Sequence, residues 1–337
     1  MSDTLAFPSR EGVRPPGAPV PAELAGESPA VRHMLLALDQ ASAGQGCVLL
    51  VAEAGSDVEA VARQVHFRSR MATGPFVAVD GGAGDPLDLT HLLFGDAASG
   101  SPSELELVGA DSRIAAAAGG TLFLRDADEL PALLQDRLAR IARDGDVRTP
   151  VSDAPCRIRL VASCVAALEA QAERDRFRTD LYRRLAAARI EVPPLRRRSE
   201  DIPAITAQLV EEICHVAGFA PKPFTPTALT LLAALRWPGN LRELRSLIAR
   251  LITSVDGPMI RLDDLLSHIR LEATPSNPVP HGSLREARLR FEREYIAAVL
   301  QHHHWRISEA ARTLGIQRPN LYRKARQLGI ALLKATD

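Results

Sequence analysis

No stretch of this 337-residue chain approaches the roughly 18–20 unbroken apolar residues of a membrane span. The opening "MSDTLAFPSREGVRPPGAPVPAE" lacks both a basic n-region and an apolar h-region, so no secretory signal is read there. The expectation is a cytoplasmic protein with no membrane partner. Cysteine is scarce: Cys47, Cys156, Cys164 and Cys214 lie far apart with no C-x-x-C pair. That spacing signals neither a zinc site nor a disulfide framework, and it leaves buried thiols as the simplest reading. Net charge is also missing, because 41 Lys and Arg balance 41 Asp and Glu. The balance hides an asymmetry. From Ser283 onward eleven Arg and Lys face five Asp and Glu, a net +6, which leaves −6 on the rest. A short basic module on an acidic body is a common footprint of nucleic-acid binding, although a solvated basic face gives the same count.

What is present is a 46% apolar chain long enough for two or three domains, since single cores rarely grow past about 250–300 residues. Residues 1–22, with prolines at 8, 15, 16, 19 and 21, read as a disordered leader, too short to hold a receiver or ligand-sensing domain. Over 23–195 short apolar runs ("CVLLVA", "PFVAVD", "TLFL", "RIRLVAS") alternate with helical stretches, the pattern of an α/β domain with a parallel sheet covered by helices. From 196 to 271 the period becomes helical, in "EDIPAITAQLVEEICHVAG", "TPTALTLLAALRW" and "NLRELRSLIARLITS". Pro238 and Gly239 turn the chain before the last of these, where Asn240 is expected to cap the helix and Glu243 to complete a capping box. Residues 272–283, rich in Pro, Ser and Asn, read as a linker. The remaining 284–337 reads as all-α: a long amphipathic helix, then "ISEAARTLG" and "RPNLYRKARQLG". Gly315 suits the end of the first short helix and Pro319 the first turn of the second, a helix-turn-helix layout.

From Leu24 onward the chain resembles the bacterial enhancer-binding proteins: an AAA+ domain of the type that activates sigma-54 RNA polymerase, a helical lid, and a C-terminal Fis-type helix-turn-helix. The matching segments, in the family's order, are "LAGESPAVRHML", "GPFVAVD", "LLFG", "GGTLFL", "FRTDLYRRL", "VPPLRRRSEDI", "WPGNLRELRSLIARL" and "ISEAARTLGIQRPNLYRKARQLGI". The resemblance implies rings, usually hexamers, with ATP between subunits, and binding of double-stranded DNA as dimers.

Several positions depart from what that resemblance implies. A phosphate-binding loop (Walker A) wraps phosphates with glycine N–H groups and adds a lysine for the β/γ-phosphates. Here the loop reads "AEAGSDVEAVA": Gly55 remains, Asp57 stands for a glycine and Val58 for the lysine. One charge pair near 4 Å is worth about 4 kcal/mol at an effective dielectric near 20, so losing an attraction and adding a repulsion removes most of a micromolar affinity, roughly 8 kcal/mol. After "GGTLFL" (Walker B) the family's two acids are Arg125 and Asp126, which puts a permanent positive charge in the magnesium position. Strand alternation is expected to turn Asp126 to the opposite face. Cys164 and Val165 replace the usual Thr-Asn sensor, Asp80 replaces an asparagine, and no "GAFTGA" appears between "LFG" and "GGTLFL". The expectation is therefore a pseudo-ATPase, with no ATP, ADP or metal cofactor expected.

Other family positions are kept. Arg178 and Arg184 match arginine fingers, which act on a neighbour's nucleotide, and Arg242 matches a second sensor. The plain alternative for these arginines is ion pairing within or between subunits. By resemblance Gln317, Arg318, Asn320 and Arg323 face DNA, with Lys324 and Arg326 on phosphates and Tyr322 in packing. "HHHW", His302 to Trp305, has no adjacent Cys or acid and is read as a polar helix end rather than a metal site. The reading is a DNA-binding transcriptional regulator with an inactive AAA+ scaffold, touching polymerase or another regulator and dimerising through the helix from Leu284. Its alternatives are a modulatory subunit of a mixed AAA+ ring, a nucleotide sensor that does not hydrolyse, and a true ATP-dependent sigma-54 activator.

Overall fold

The computed structural model describes residues 21–96, 105–149, 152–165, 168–174, 176–272, 296, 307–308, 311 and 317–327. The chain divides into two units, Met1–Ile269 and Arg270–Asp337. In the first unit the strands are β1 (Val48–Val51), β2 (Phe76–Asp80), β3 (Glu106–Leu107), β4 (Thr121–Arg125), β5 (Asp146–Thr149), β6 (Ser152–Arg157), β7 (Arg159–Cys164) and β8 (Arg189–Glu191). Five of them form a parallel sheet in the order β2-β4-β7-β1-β8, with Leu49 opposite Ala162 and Phe123 opposite Val161. Its central strands are buried on both faces, which is why they read as continuous apolar runs. Alternate residues serve different cores. Leu49, Leu122, Leu124, Leu160 and Ala162 face one cluster, while Val48, Leu50, Phe123 and Val161 face the other.

Helices cover both faces: α1 (Pro29–Ala43), α2 (Val58–Phe67), α3 (Pro86–Phe94), α4 (Arg113–Ala116), α5 (Ala132–Asp144), α6 (Leu168–Glu173) and α7 (Thr179–Leu185). Their starts are written locally. Ser28 and Asp85 each precede a proline and accept a first-turn N–H, from Val31 at 3.2 Å and from Leu87 at 2.8 Å. The helical part holds α8 (Ile202–Ala217), α9 (Pro226–Ala234), α10 (Asn240–Ser254) and α11 (Leu262–Glu272) around a core that includes Leu209, Leu232, Trp237, Leu244 and Leu251. No helix among the described residues is long and apolar enough to cross a membrane.

The fold is a parallel α/β sheet followed by a helical part, as expected, with three differences in detail. Four of the five sheet strands are the expected apolar runs; β8 is only three residues long, with Ile190 alone buried, too short for a period to show. The small sheet β3-β5-β6 had no apolar signature either. Ala22, assigned to the leader, is 3% exposed and packs in the lid core, so the folded body already includes it.

In the second unit the described helix is Arg318–Gln327, entered through Pro319 as its sequence suggests. Leu321 and Ala325, four residues apart, form its buried stripe. The long helix from Leu284, Gly315 and the His302-to-Trp305 segment lie outside the described residues.

Candidate functional site

Strands β1, β4 and β7 all run the same way, so the loops that leave their C-terminal ends converge. Open α/β sheets place ligand sites at this edge. Here it forms a cleft of about 600 Å³ lined by the loop 52–58 together with Glu59, Arg125, Asp126, Asp128, Glu129, Ser163, Cys164, Val165, Leu241, Arg242 and Arg245. Gly55, Asp57, Val58, Arg125, Asp126 and Arg242, separate in sequence, are thus brought together. Among the described lining residues there is no lysine.

The loop after β1 is held in place by the lid. Gly55 has φ +86°, and a Cβ there would lie 2.1 Å from the carbonyl oxygen of Gly239, so only glycine fits this approach. Arg242 N donates to Gly55 O at 2.9 Å. Asn240 does not cap α10: Gly239 occupies the N-cap, and Asn240 itself has φ 47°. Its amide instead joins two segments, accepting from Leu195 N at 3.1 Å and donating to Ala54 O at 3.0 Å. Glu243 supplies the expected half of a capping box, accepting from Gly239 N at 2.7 Å.

At the start of α2 the chain caps itself. Asp57 is the N-cap, and its side chain accepts from Ala60 N at 3.1 Å. The Asp57 N–H is taken by the carboxylate of Glu23 at 2.8 Å. Val58 opens the helix with no charge to offer. Glu59, next along, accepts from Arg63 at 2.9 Å and from Arg125 Nη2, so one carboxylate holds two guanidinium groups. Arg125 therefore sits in the cleft paired with Glu59, a carboxylate that it shares with Arg63.

Asp126 departs from the expectation of alternation. It lies beyond the end of β4 with φ 50° and ψ 53°, so its side chain is not on the opposite face of a strand but lines the same cleft as Arg125. Its N–H donates to Ser163 Oγ at 3.2 Å. Burial first, then the Asp80 and Asp128 carboxylates, push the Asp126 carboxyl above the usual range. Cys164 is 1% exposed, and burial raises its thiol to about 11; Val165 is half exposed.

The remaining positions lie elsewhere. Arg178 pairs with Asp180 at 2.8 Å and Asp136 at 2.9 Å in its own chain. Arg184 shares a second, smaller cleft with these groups, and its exposed side chain makes no hydrogen bond or ion pair among the described residues. Arg184 also lines a third cleft with Cys47, Ile158 and Arg159, beside the N-terminal ends of β1 and β7, the opposite edge of the sheet. In the second unit Gln317, Arg318, Asn320 and Arg323 are exposed and Lys324 is half-buried, with Arg323 Nη2 3.3 Å from Asn320 Oδ1. Tyr322 is 44% exposed. The Arg326 side chain and residues 97–104, within the interval lacking "GAFTGA", lie outside the described residues.

Sequence reasoning missed Glu23, Glu59 and the bridging amide of Asn240. Glu59 was within reach, being an acid one residue beyond Val58. Glu23 carried no local signal, since it meets Asp57 from 34 residues away.

Residues 24–191 match the sigma-54 interaction domain, 196–281 the AAA+ ATPase lid domain, and 288–330 the bacterial regulatory protein, Fis family. The chain is similar to the transcriptional regulatory protein ZraR of Escherichia coli K12, with 33% identity over 89% of this chain and 68% of that protein. It is 31% identical to the DNA-binding transcriptional regulator NtrC of Klebsiella pneumoniae over 95% and 74%. Among solved structures it resembles NtrX from Brucella abortus in complex with ADP, at TM-score 0.62 and 30% identity, covering 91% of this chain and 69% of that one. The complex of the same protein with ATP is similar at TM-score 0.60 and 30% identity, over 91% and 70%.

Proposed function

The chain belongs to the family of bacterial regulators that join a sigma-54 interaction domain to an AAA+ lid and a Fis-family helix-turn-helix, and from that premise we propose that it regulates transcription by binding DNA with an AAA+ body that does not hydrolyse ATP. The carrying observation is the ion pair of Arg125 with Glu59. A guanidinium and its own counter-ion occupy the end of β4, where the resemblance requires acids that hold magnesium. Metal there meets a fixed positive charge, and the Glu59 carboxylate is already engaged by two guanidinium groups. Val58 offers no cation to a γ-phosphate, and Asp57 brings negative charge toward it. These losses support a scaffold role, with the helix Arg318–Gln327 reading double-stranded DNA and the body touching polymerase or another regulator. Dimerisation through the C-terminal module and ring formation through the AAA+ body belong to the same proposal.

The test is magnesium-dependent ATP turnover by the purified chain. Background rates are expected, with Asp57→Gly, Val58→Lys and Arg125→Asp together raising them. Brisk turnover by the unaltered protein would instead establish an ATP-driven sigma-54 activator. The NtrX structures with ADP and ATP make nucleotide the first ligand to titrate. Tight binding without turnover would point to a nucleotide sensor.

A second reading is favoured by Arg184 alone: exposed and without an ion pair among the described residues, it is available to a neighbour's site in a mixed ring with a competent relative. Arg178, paired with Asp136 and Asp180, is not. If this reading holds, adding the chain to an active relative changes the relative's ATP turnover, and Arg184→Ala abolishes the change.

A further inference from the structure

Glu23 lies in a short turn, Ala22–Leu24, whose flanking residues enter two different cores. Ala22 packs with the lid helices, and Leu24 with α1, α2 and the sheet. The carboxylate between them is 1% exposed. One oxygen accepts the Asp57 N–H at 2.8 Å. The other meets Nη2 of Arg198, itself 1% exposed, and Nη1 of the same guanidinium donates to the Glu23 carbonyl at 2.5 Å. Arg198 lies between the sheet and lid subdomains, just before α8. Asp57 N is a donor at the N-terminus of α2, an end whose unpaired N–H groups and dipole favour an anion. The chain has supplied that anion itself.

We propose that Glu23 is a built-in anion that takes the Asp57 N–H of the loop, so that a polyphosphate in the cleft finds this donor already used, independently of Val58 and Arg125, while Arg198 ties Glu23 to the start of the lid. The proposal rests on the reading of the cleft as a non-hydrolysing one and assigns a residue to the exclusion. An entering phosphate either goes without the Asp57 N–H, with a buried carboxylate bonded to that loop, or draws the N–H away from that carboxylate. Displacing the carboxylate itself strands the Arg198 guanidinium in the interior, where an unpaired charge is strongly disfavoured. Burial, the largest influence on Glu23, raises its carboxyl above the ordinary range, while Arg198 and the Asp57 N–H act to keep it ionised.

The test uses the full chain and two probes, inorganic tripolyphosphate and magnesium ATP, titrated calorimetrically. Three proteins are compared: the unaltered chain, Asp57→Gly with Val58→Lys, and that pair plus Glu23→Gln. The expected order is no measurable binding, weak binding, and binding at least tenfold tighter than the pair alone. If the third substitution leaves the affinity within twofold of the pair, or neither variant binds, the role of Glu23 is overturned while the reading of the cleft stands. If the unaltered chain binds either probe as tightly as the pair variant, the reading of the cleft fails and takes this inference with it. A further version carries Glu23→Met with Arg198→Met in place of Glu23→Gln. It removes both buried charges together, so the comparison can still be made if Glu23→Gln does not fold.

Discussion

His66 is fully buried between α2 and the sheet, with Nδ1 2.9 Å from Thr121 Oγ1. Burial, with Arg63 second, holds its pKa below the ordinary histidine value. Below about pH 6.5 the unfolded chain takes up a proton on this ring that the folded chain refuses. The contribution to stability is therefore complete above about pH 6.5 and declines as the pH falls further. Melting temperatures measured from pH 7.5 down to 5 should drop, and His66→Gln should flatten that slope; an identical slope in the variant would falsify this assignment. The comparison also separates the ring from Glu23, whose raised carboxyl pKa acts with the opposite sign. Glu106 offers a second residue-scale test. Its side chain is wholly buried between Arg137 at 2.5 Å and Arg140 at 3.2 Å. Glu106→Gln leaves buried Arg137 without its counter-ion and Arg140 with Asp136 in place of two carboxylates, and urea denaturation should register a loss of about 3–5 kcal/mol.

Among the elements, the junction between the loop after β1 and the start of α10 is the most constrained. Asn240 serves Leu195 N and Ala54 O at once, and it does so from a left-handed backbone that asparagine tolerates better than most residues. Asn240→Ala leaves two backbone groups without partners, each worth about 1–3 kcal/mol where water cannot replace the bond. The expected result is a lower urea midpoint and faster proteolysis in the loop 52–57; an unchanged midpoint means that water substitutes for the amide. Gly55→Ala is expected to be more severe, because the new methyl meets the Gly239 carbonyl and the backbone is already left-handed. The same junction explains why the capping expectation failed. The pattern of a turn followed by Asn and then Glu three residues on describes a free helix start, but here a neighbouring subdomain claims the asparagine.

Across the whole molecule, charge is divided between an acidic body and a basic C-terminal part, and the chain splits at Ile269 into two units. If Lys324 meets a phosphate while Arg318 and Arg323 meet bases, the substitutions should differ in kind. Lys324→Ala should weaken binding to all sequences alike and reduce the log–log salt slope by about 0.9. Arg318→Ala or Arg323→Ala should cost about 1–3 kcal/mol on the preferred site and much less on random duplex. Fluorescence anisotropy at several salt concentrations distinguishes them, and equal losses on both kinds of DNA would remove the base-reading role.

Apolar runs, caps beside prolines, and helical periods act over a few residues. For that reason four of the five sheet strands, three of the four lid helices and the entry of the helix Arg318–Gln327 were legible in order along the chain. So were the identities that matter most at the cleft, Val58 and Arg125, because a missing or reversed charge is visible wherever the residue sits. Tertiary structure alone decided where those charges find their counter-ions: Arg125 on Glu59 from 66 residues away, and Arg198 on Glu23 from 175. It also placed Asp126 in the cleft, by ending β4 one residue before it. Such pairings depend on which loops the parallel sheet gathers at one edge, and the free energy of burying a carboxylate against a guanidinium exists only once both have left water together.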